Sequence, residues 1–174
     1  MTIDELNRLP EDDAFTAFEQ CCGASQWVER MVFSRPFEDF NEVMETCDNI
    51  WEECDVDDYE EAFSFYPRIG DPEELEEMRN AGAGLEDLGL KWAAMELKGL
   101  EDGPPAVQEE LAKANAEYED KFGYVFVICA PGKNAVEIIA AIRERLRNGP
   151  AEEIYIAATE QHKITHLRLK KLLA

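Results

Sequence analysis

Residues Phe122 to Ala130 read Phe-Gly-Tyr-Val-Phe-Val-Ile-Cys-Ala. Aromatic and β-branched residues at this density favour extended backbone. No other part of the chain offers a strand to pair with it, and a lone strand cannot satisfy its own amides and carbonyls. This stretch is therefore expected to run as an extended segment, over 123–130, threaded between helices.

Everything around it has helical periodicity, so the expected class is all-α. Thr2 and Glu5 form a capping box that opens a short helix closed by Pro10. Asp12 to Cys22 forms a second helix, ended by Gly23, and Ser25 to Ser34 a third, ended by Pro36. Phe37 to Glu53 places Phe40, Val43, Met44, Cys47 and Trp51 on one face, and Asp57 to Phe65 follows. Two prolines and a glycine make Tyr66 to Pro72 a loop. Pro72 then starts a helix to Asn80. Four more helices are expected over Leu85–Leu100, Ala106–Lys121, Asn134–Asn148 and Ala151–Leu173. No repeat or linker marks a boundary, so 1–174 reads as one domain.

Two of these helices carry a charge inside the apolar stripe. On the first, Leu85, Leu88, Trp92, Met95 and Gly99 follow the helical rhythm, and Glu96 falls among them. On the last, Ile154, Ala157, Ala158, Gln161, Ile164 and Leu172 form the stripe, with Arg168 near its middle. Charged side chains are seldom placed on a core face. Two readings stay open. Glu96 and Arg168 are boundary residues or a buried ion pair. Alternatively, they line a polar cavity in which the guanidinium grips a carboxylate or ureido group and the glutamate exchanges a proton.

The remaining features exclude more than they assign. With 39 acidic against 17 basic residues the net charge is −22, so nucleic acid and anionic membranes are poor partners. The acid is spread along the chain, as in a highly soluble surface or one adapted to high salt. No run approaches the roughly 20 apolar residues of a membrane span. The first residues lack the parts of a signal peptide, and a cytoplasmic protein is expected. Five cysteines (Cys21, Cys22, Cys47, Cys54 and Cys129), with no C-x-x-C, argue for free thiols rather than a disulfide framework or zinc knuckle. His162 and His166, four apart, share a helix face, but no third ligand is evident and no metal is expected. Pro131-Gly132-Lys133 lacks the glycine pattern of a phosphate loop.

Five segments together resemble the 2-oxo-4-hydroxy-4-carboxy-5-ureidoimidazoline (OHCU) decarboxylase family. They are Tyr66-Pro67-Arg68-Ile69-Gly70, Trp92 to Gly99, Phe122 to Ala130, Arg145-Leu146-Arg147-Asn148 and Lys163 to Leu169. The resemblance implies a helical fold of its own type, usually a homodimer. It implies decarboxylation of the ureidoimidazoline to (S)-allantoin in urate breakdown, with no metal or organic cofactor. Carried across, the catalytic positions become Tyr66, Glu96 and Arg168. Substrate would be held by Pro67, Ala93, Leu97, Phe126, Val127, Ile128, Cys129, Ala130 and Ile164. The chain departs from the pattern where the loop histidine is Tyr66, a serine is Ala93 and a glutamine is Leu97. The first departure replaces a group that titrates near 6.5 with one near 10. It leaves room for a homologue that binds a ureide-like anion without turning it over. The net charge alone would also suit an acidic interaction module.

Overall fold

A computed structural model describes residues 1–174. It contains only helices, turns and extended backbone without sheet pairing. In chain order the helices are α1 (Ile3–Arg8), α2 (Glu11–Glu19), α3 (Ser25–Phe33), α4 (Phe40–Glu52), α5 (Val56–Ser64), α6 (Pro72–Arg79), α7 (Leu88–Glu96), α8 (Pro105–Phe122), α9 (Ala135–Arg145) and α10 (Pro150–Leu172). A 3-10 turn, Leu85–Asp87, leads into α7. No helix is long and apolar enough to cross a membrane.

Local chemistry sets the ends of these helices. Thr2 and Glu5 close their capping box on α1, Asp55 and Asp58 another on α5, and Asn134 and Glu137 a third on α9. Proline occupies the first turn of α6, α8 and α10, where its missing N–H costs nothing. Gly123, at φ 84°, terminates α8 in the left-handed conformation that glycine adopts without strain.

Several helices differ from the sequence expectation at their ends: α2 stops at Glu19 rather than Cys22 and α9 at Arg145 rather than Asn148, and two further cases have a visible cause. α4 begins at Phe40 rather than Phe37. The Asn7 side chain pins Phe37 in non-helical backbone, donating to its carbonyl at 2.8 Å and accepting from its amide at 2.9 Å. Asp39 then caps the helix at the Glu42 amide. The segment Leu85–Leu100 is not one helix either. α7 ends at Glu96, and Gly99, at φ 91°, turns the chain away. The shorter helix buries Trp92, Ala93 and Glu96 and leaves Met95 65% exposed, so Met95 does not belong to the core stripe.

The buried side chains form two clusters. One joins α1 to α5 with α10 and contains Trp27, Phe18, Phe63, Ile164 and Leu169. The other joins the segment Ile69, α6, α7, α8 and α9 and contains Leu100, Leu111, Tyr118, Ile138 and Ile142. The extended segment lies on the seam between them. Phe126, Ile128 and Ala130 pack into the second cluster, while Val127 packs into the first with Val125 and Cys129 against it. This is the period-two alternation of extended backbone, with a hydrophobic core on each side.

A buried polar knot fixes that segment. The Arg145 guanidinium donates from Nη1 to the Val127 carbonyl at 2.7 Å and from Nε to Glu153 Oε1 at 2.6 Å. Glu153, completely buried, also accepts from the Tyr118 hydroxyl at 2.5 Å and from Asn148 Nδ2 at 2.9 Å. The guanidinium lies 4.3 Å from the Phe126 ring centre, close enough for a cation–π contact. Removing one member of such a pair strands the other charge away from water. Arg145→Met is expected to destabilise the fold by about 3–5 kcal/mol in urea unfolding, most of it recovered when Glu153→Leu is added.

Candidate active site

The charged residues on the two helix stripes meet. Glu96, the last residue of α7, and Arg168, in the last third of α10, are 8% and 7% exposed. Arg168 donates from Nε to Glu96 Oε1 at 3.3 Å and from Nη2 to Oε2 at 3.1 Å, a two-pronged pair. Its remaining arm, Nη1, reaches the Gln20 carbonyl at 3.1 Å. Lys171, one turn along α10, adds a second cation to Glu96 at 3.1 Å. Sequence reasoning missed Lys171, although its position three residues after Arg168 places it on an adjacent part of the same face.

This pair forms the polar end of a small apolar cavity of about 30 Å³. Ala93, Glu96 and Leu97 approach from α7, and Ile164 and Arg168 from α10. Tyr66, Pro67 and Ile69 of the loop close one side, and Phe126, Val127, Ile128 and Ala130 form the opposite wall. Of the positions singled out in the sequence, only Cys129 lies off the lining. Its side chain is directed with Val125 toward the other core, because alternate residues of an extended chain face opposite ways. Ile69, which the sequence did not single out, joins the wall. A wider cleft of about 270 Å³, bordered by Gln20, Phe65 and Gly89, shares Pro67, Ala93 and Arg168 with the cavity. The guanidinium thus sits between an outer cleft and an inner chamber.

The extended wall is little tied to other main chain. From Tyr124 to Cys129 no residue makes a hydrogen bond to another backbone group. The Val127 carbonyl is taken by Arg145, and the Ala130 carbonyl by the Lys133 amide at 2.9 Å. Amides left free of protein partners inside a fold are rare and point to a partner from outside the chain.

Tyr66 lies over Arg168, with the guanidinium carbon 5.2 Å from the ring centre. Burial pushes the phenol well above its usual value, and Arg168 only partly offsets this. The hydroxyl therefore stays protonated through the neutral range and serves as a hydrogen-bond donor, not as a base. The cysteines near the site are equally quiet. Burial raises Cys22 to about 12 and pushes Cys21 higher, so neither supplies a thiolate nucleophile.

A family model for OHCU decarboxylase matches residues 7–170. The chain belongs to that family. It is 36% identical over 156 residues to the uric acid degradation bifunctional protein TTL of Arabidopsis thaliana, covering 88% of this chain and 45% of that one. It is 27% identical over 170 residues to the 2-oxo-4-hydroxy-4-carboxy-5-ureidoimidazoline decarboxylase of Haloferax volcanii, covering 97% of this chain and 94% of that one. A crystal structure of OHCU decarboxylase in the presence of (S)-allantoin superimposes with a TM-score of 0.72 at 33% identity, over 91% of this chain and 97% of that one. A crystal structure of (S)-allantoin synthase, at 16% identity and a TM-score of 0.68, shares the fold. The helical architecture with its extended segment is therefore that of the family.

Tyrosine burial in this family member has a sign that can be checked. Tyr59, Tyr66, Tyr118 and Tyr124 are all raised, chiefly by burial. Their contribution to stability is fully present below the unfolded phenol value of about 10 and is lost as pH rises beyond it. In an alkaline titration, these phenols should ionise together with the loss of helical circular dichroism. Ionisation of all four in a still-helical protein would contradict the buried placement.

Proposed function

We propose that this chain decarboxylates 2-oxo-4-hydroxy-4-carboxy-5-ureidoimidazoline to (S)-allantoin without a metal or organic cofactor. The observation that carries the reading is a buried guanidinium–carboxylate pair at the polar end of a small cavity, beside an extended segment whose amides have no backbone partner, in a chain of this family. That combination suits a small, flat, polar heterocycle. Ring and ureido groups pair with the backbone of Phe126 to Ala130, and the guanidinium anchors an anionic or carbonyl oxygen.

The chemistry needs little more. The bond from the ring carbon to the carboxylate breaks, CO2 leaves, and the electron pair enters the adjoining unsaturated system. A proton then reaches the ring from one face and fixes the stereocentre. Glu96, bracketed by Arg168 and Lys171, takes the enol hydroxyl proton once CO2 has left and delivers it to the ring carbon, while water supplies the second proton to the ring nitrogen that received the electron pair. Tyr66 donates a hydrogen bond to the developing anion. It stands where the family pattern has histidine, so it supplies a donor but no neutral-pH proton relay. The cavity, about 30 Å³, is far smaller than the pockets of about 300–1,000 Å³ that hold small ligands. Binding must therefore part Glu96 from Arg168 and shift the Tyr66–Pro67 loop, with the outer cleft as the approach. A homodimer, which the resemblance implies, belongs to this same reading.

The decisive measurement is stereospecific allantoin formation from freshly generated substrate, followed by circular dichroism against a no-protein control. Arg168→Ala and Glu96→Gln are each expected to lower kcat by about 100-fold or more. Tyr66→His is expected to raise it, with a new inflection near the ordinary histidine value of about 6.5. If the wild-type chain and Tyr66→His both only match the spontaneous rate, the chain is not a decarboxylase. A thermal shift with allantoin that Arg168→Ala abolishes would then favour a ureide-binding homologue.

A further inference from the structure

Away from this cavity, the fold supplies the group that the sequence could not show beside His162 and His166. On α10 the two rings lie one above the other, their centres 4.4 Å apart. Across from them α4 presents Asp48. Its Oδ1 is 2.8 Å from His162 Nε2 and 2.5 Å from His166 Nε2. With the Sγ of Cys47, all the potential ligand atoms lie within 4.8 Å of one another. The three polar side chains are half-buried, so solvent reaches the cluster while protein shields its back.

We propose that Asp48, His162 and His166 form a binding site for a borderline divalent transition-metal ion of the Zn2+ class. Two imidazoles and a carboxylate are a donor set that such ions take, with open positions left to water. The geometry is close to what coordination requires. Bonds of about 2.0–2.2 Å in a tetrahedral arrangement place neighbouring donors about 3.3 Å apart. The nitrogens therefore need only draw back from Asp48 by less than about 1 Å to admit an ion between them. Nε2 is the available nitrogen on His162, because its Nδ1 is enclosed by protein. The ring itself is held in place by Trp51, stacked on it with planes 3° apart and centres 6.0 Å apart.

Cys47 lies behind the site. It is fully buried, and burial pushes its thiol far above the usual value. As the helical neighbour of Asp48 it projects about 100° away. The donor set is thus mainly nitrogen, which disfavours Mg2+ and Ca2+, ions that prefer oxygen cages. A bound ion would tie α4 to α10, the helix that carries Arg168.

The test uses the whole chain, stripped with chelator and held in moderate salt to screen the acidic surface. Isothermal titration with Zn2+ should show one site per chain, and thermal unfolding should shift upward with Zn2+ but not with Mg2+ or Ca2+. Cu2+ should quench tryptophan emission through the stacked Trp51. Asp48→Asn, which keeps the shape of the side chain, and the His162→Gln/His166→Gln double variant should each weaken Zn2+ binding by more than roughly tenfold. Their metal-free melting and helical circular dichroism should remain near wild type. The proposal is overturned if Zn2+ produces no saturable binding, or if either folded variant binds it as tightly as wild type, since the ions would then be held by the acidic surface.

Discussion

The fold is organised around a stretch of backbone with nothing of its own kind to pair with. Residues 124–130 cannot join a sheet, so the helices must enclose them, and two cores are built, one against each face. The enclosure costs the amides their water and gives them no protein acceptor. Such an arrangement would normally destabilise a small protein by several kcal/mol. Arg145 offsets part of that cost by holding one carbonyl in place. The cavity lies against this segment: Phe126, Val127, Ile128 and Ala130 give one apolar wall, and its polar end is the pair that α7 and α10 bring together.

Two buried ion pairs then play different parts. Arg145 and Glu153 are fully committed to neighbours: Arg145 also donates to the Val127 carbonyl, and Glu153 also accepts from Tyr118 and Asn148. Such a pair fixes positions and has no partner to spare. Arg168 and Glu96 are held mainly by each other, by Lys171 and by one carbonyl, and they border open space on both sides. A substrate that offers an oxygen to the guanidinium exchanges one charge-assisted contact for another. The difference between the two pairs is therefore that one is closed by its neighbours and the other borders open space.

Much of this was legible in the chain. The extended segment stood out because its composition clashes with a helical surrounding. Glu96 and Arg168 stood out because each sits where helical spacing calls for an apolar residue. Other features were hidden for physical reasons. Glu153 reads as an ordinary acidic residue in the first turn of a helix, and only the packing of α8 and α9 against that turn buries it. Asp48 reads as one acid among many on a helix face, and only the pairing of α4 with α10 sets it against two imidazoles. Met95 was misplaced because the buried face of α7 centres on Trp92, Ala93 and Glu96, and Met95 lies roughly a third of a turn from that centre. Contacts between distant helices decide these cases, and spacing along one helix carries no record of them.

The alternation of the segment between two cores also sets which changes it can absorb. Exchanging one apolar side chain for another of similar volume alters a single contact on a single face. Losing or gaining one residue between Gly123 and Ala130 would invert the whole thread: Phe126, Ile128 and Ala130 would turn toward the neighbours of Val127, and the carbonyl beneath Arg145 would point elsewhere. The length of this strip is thus more tightly constrained than its composition.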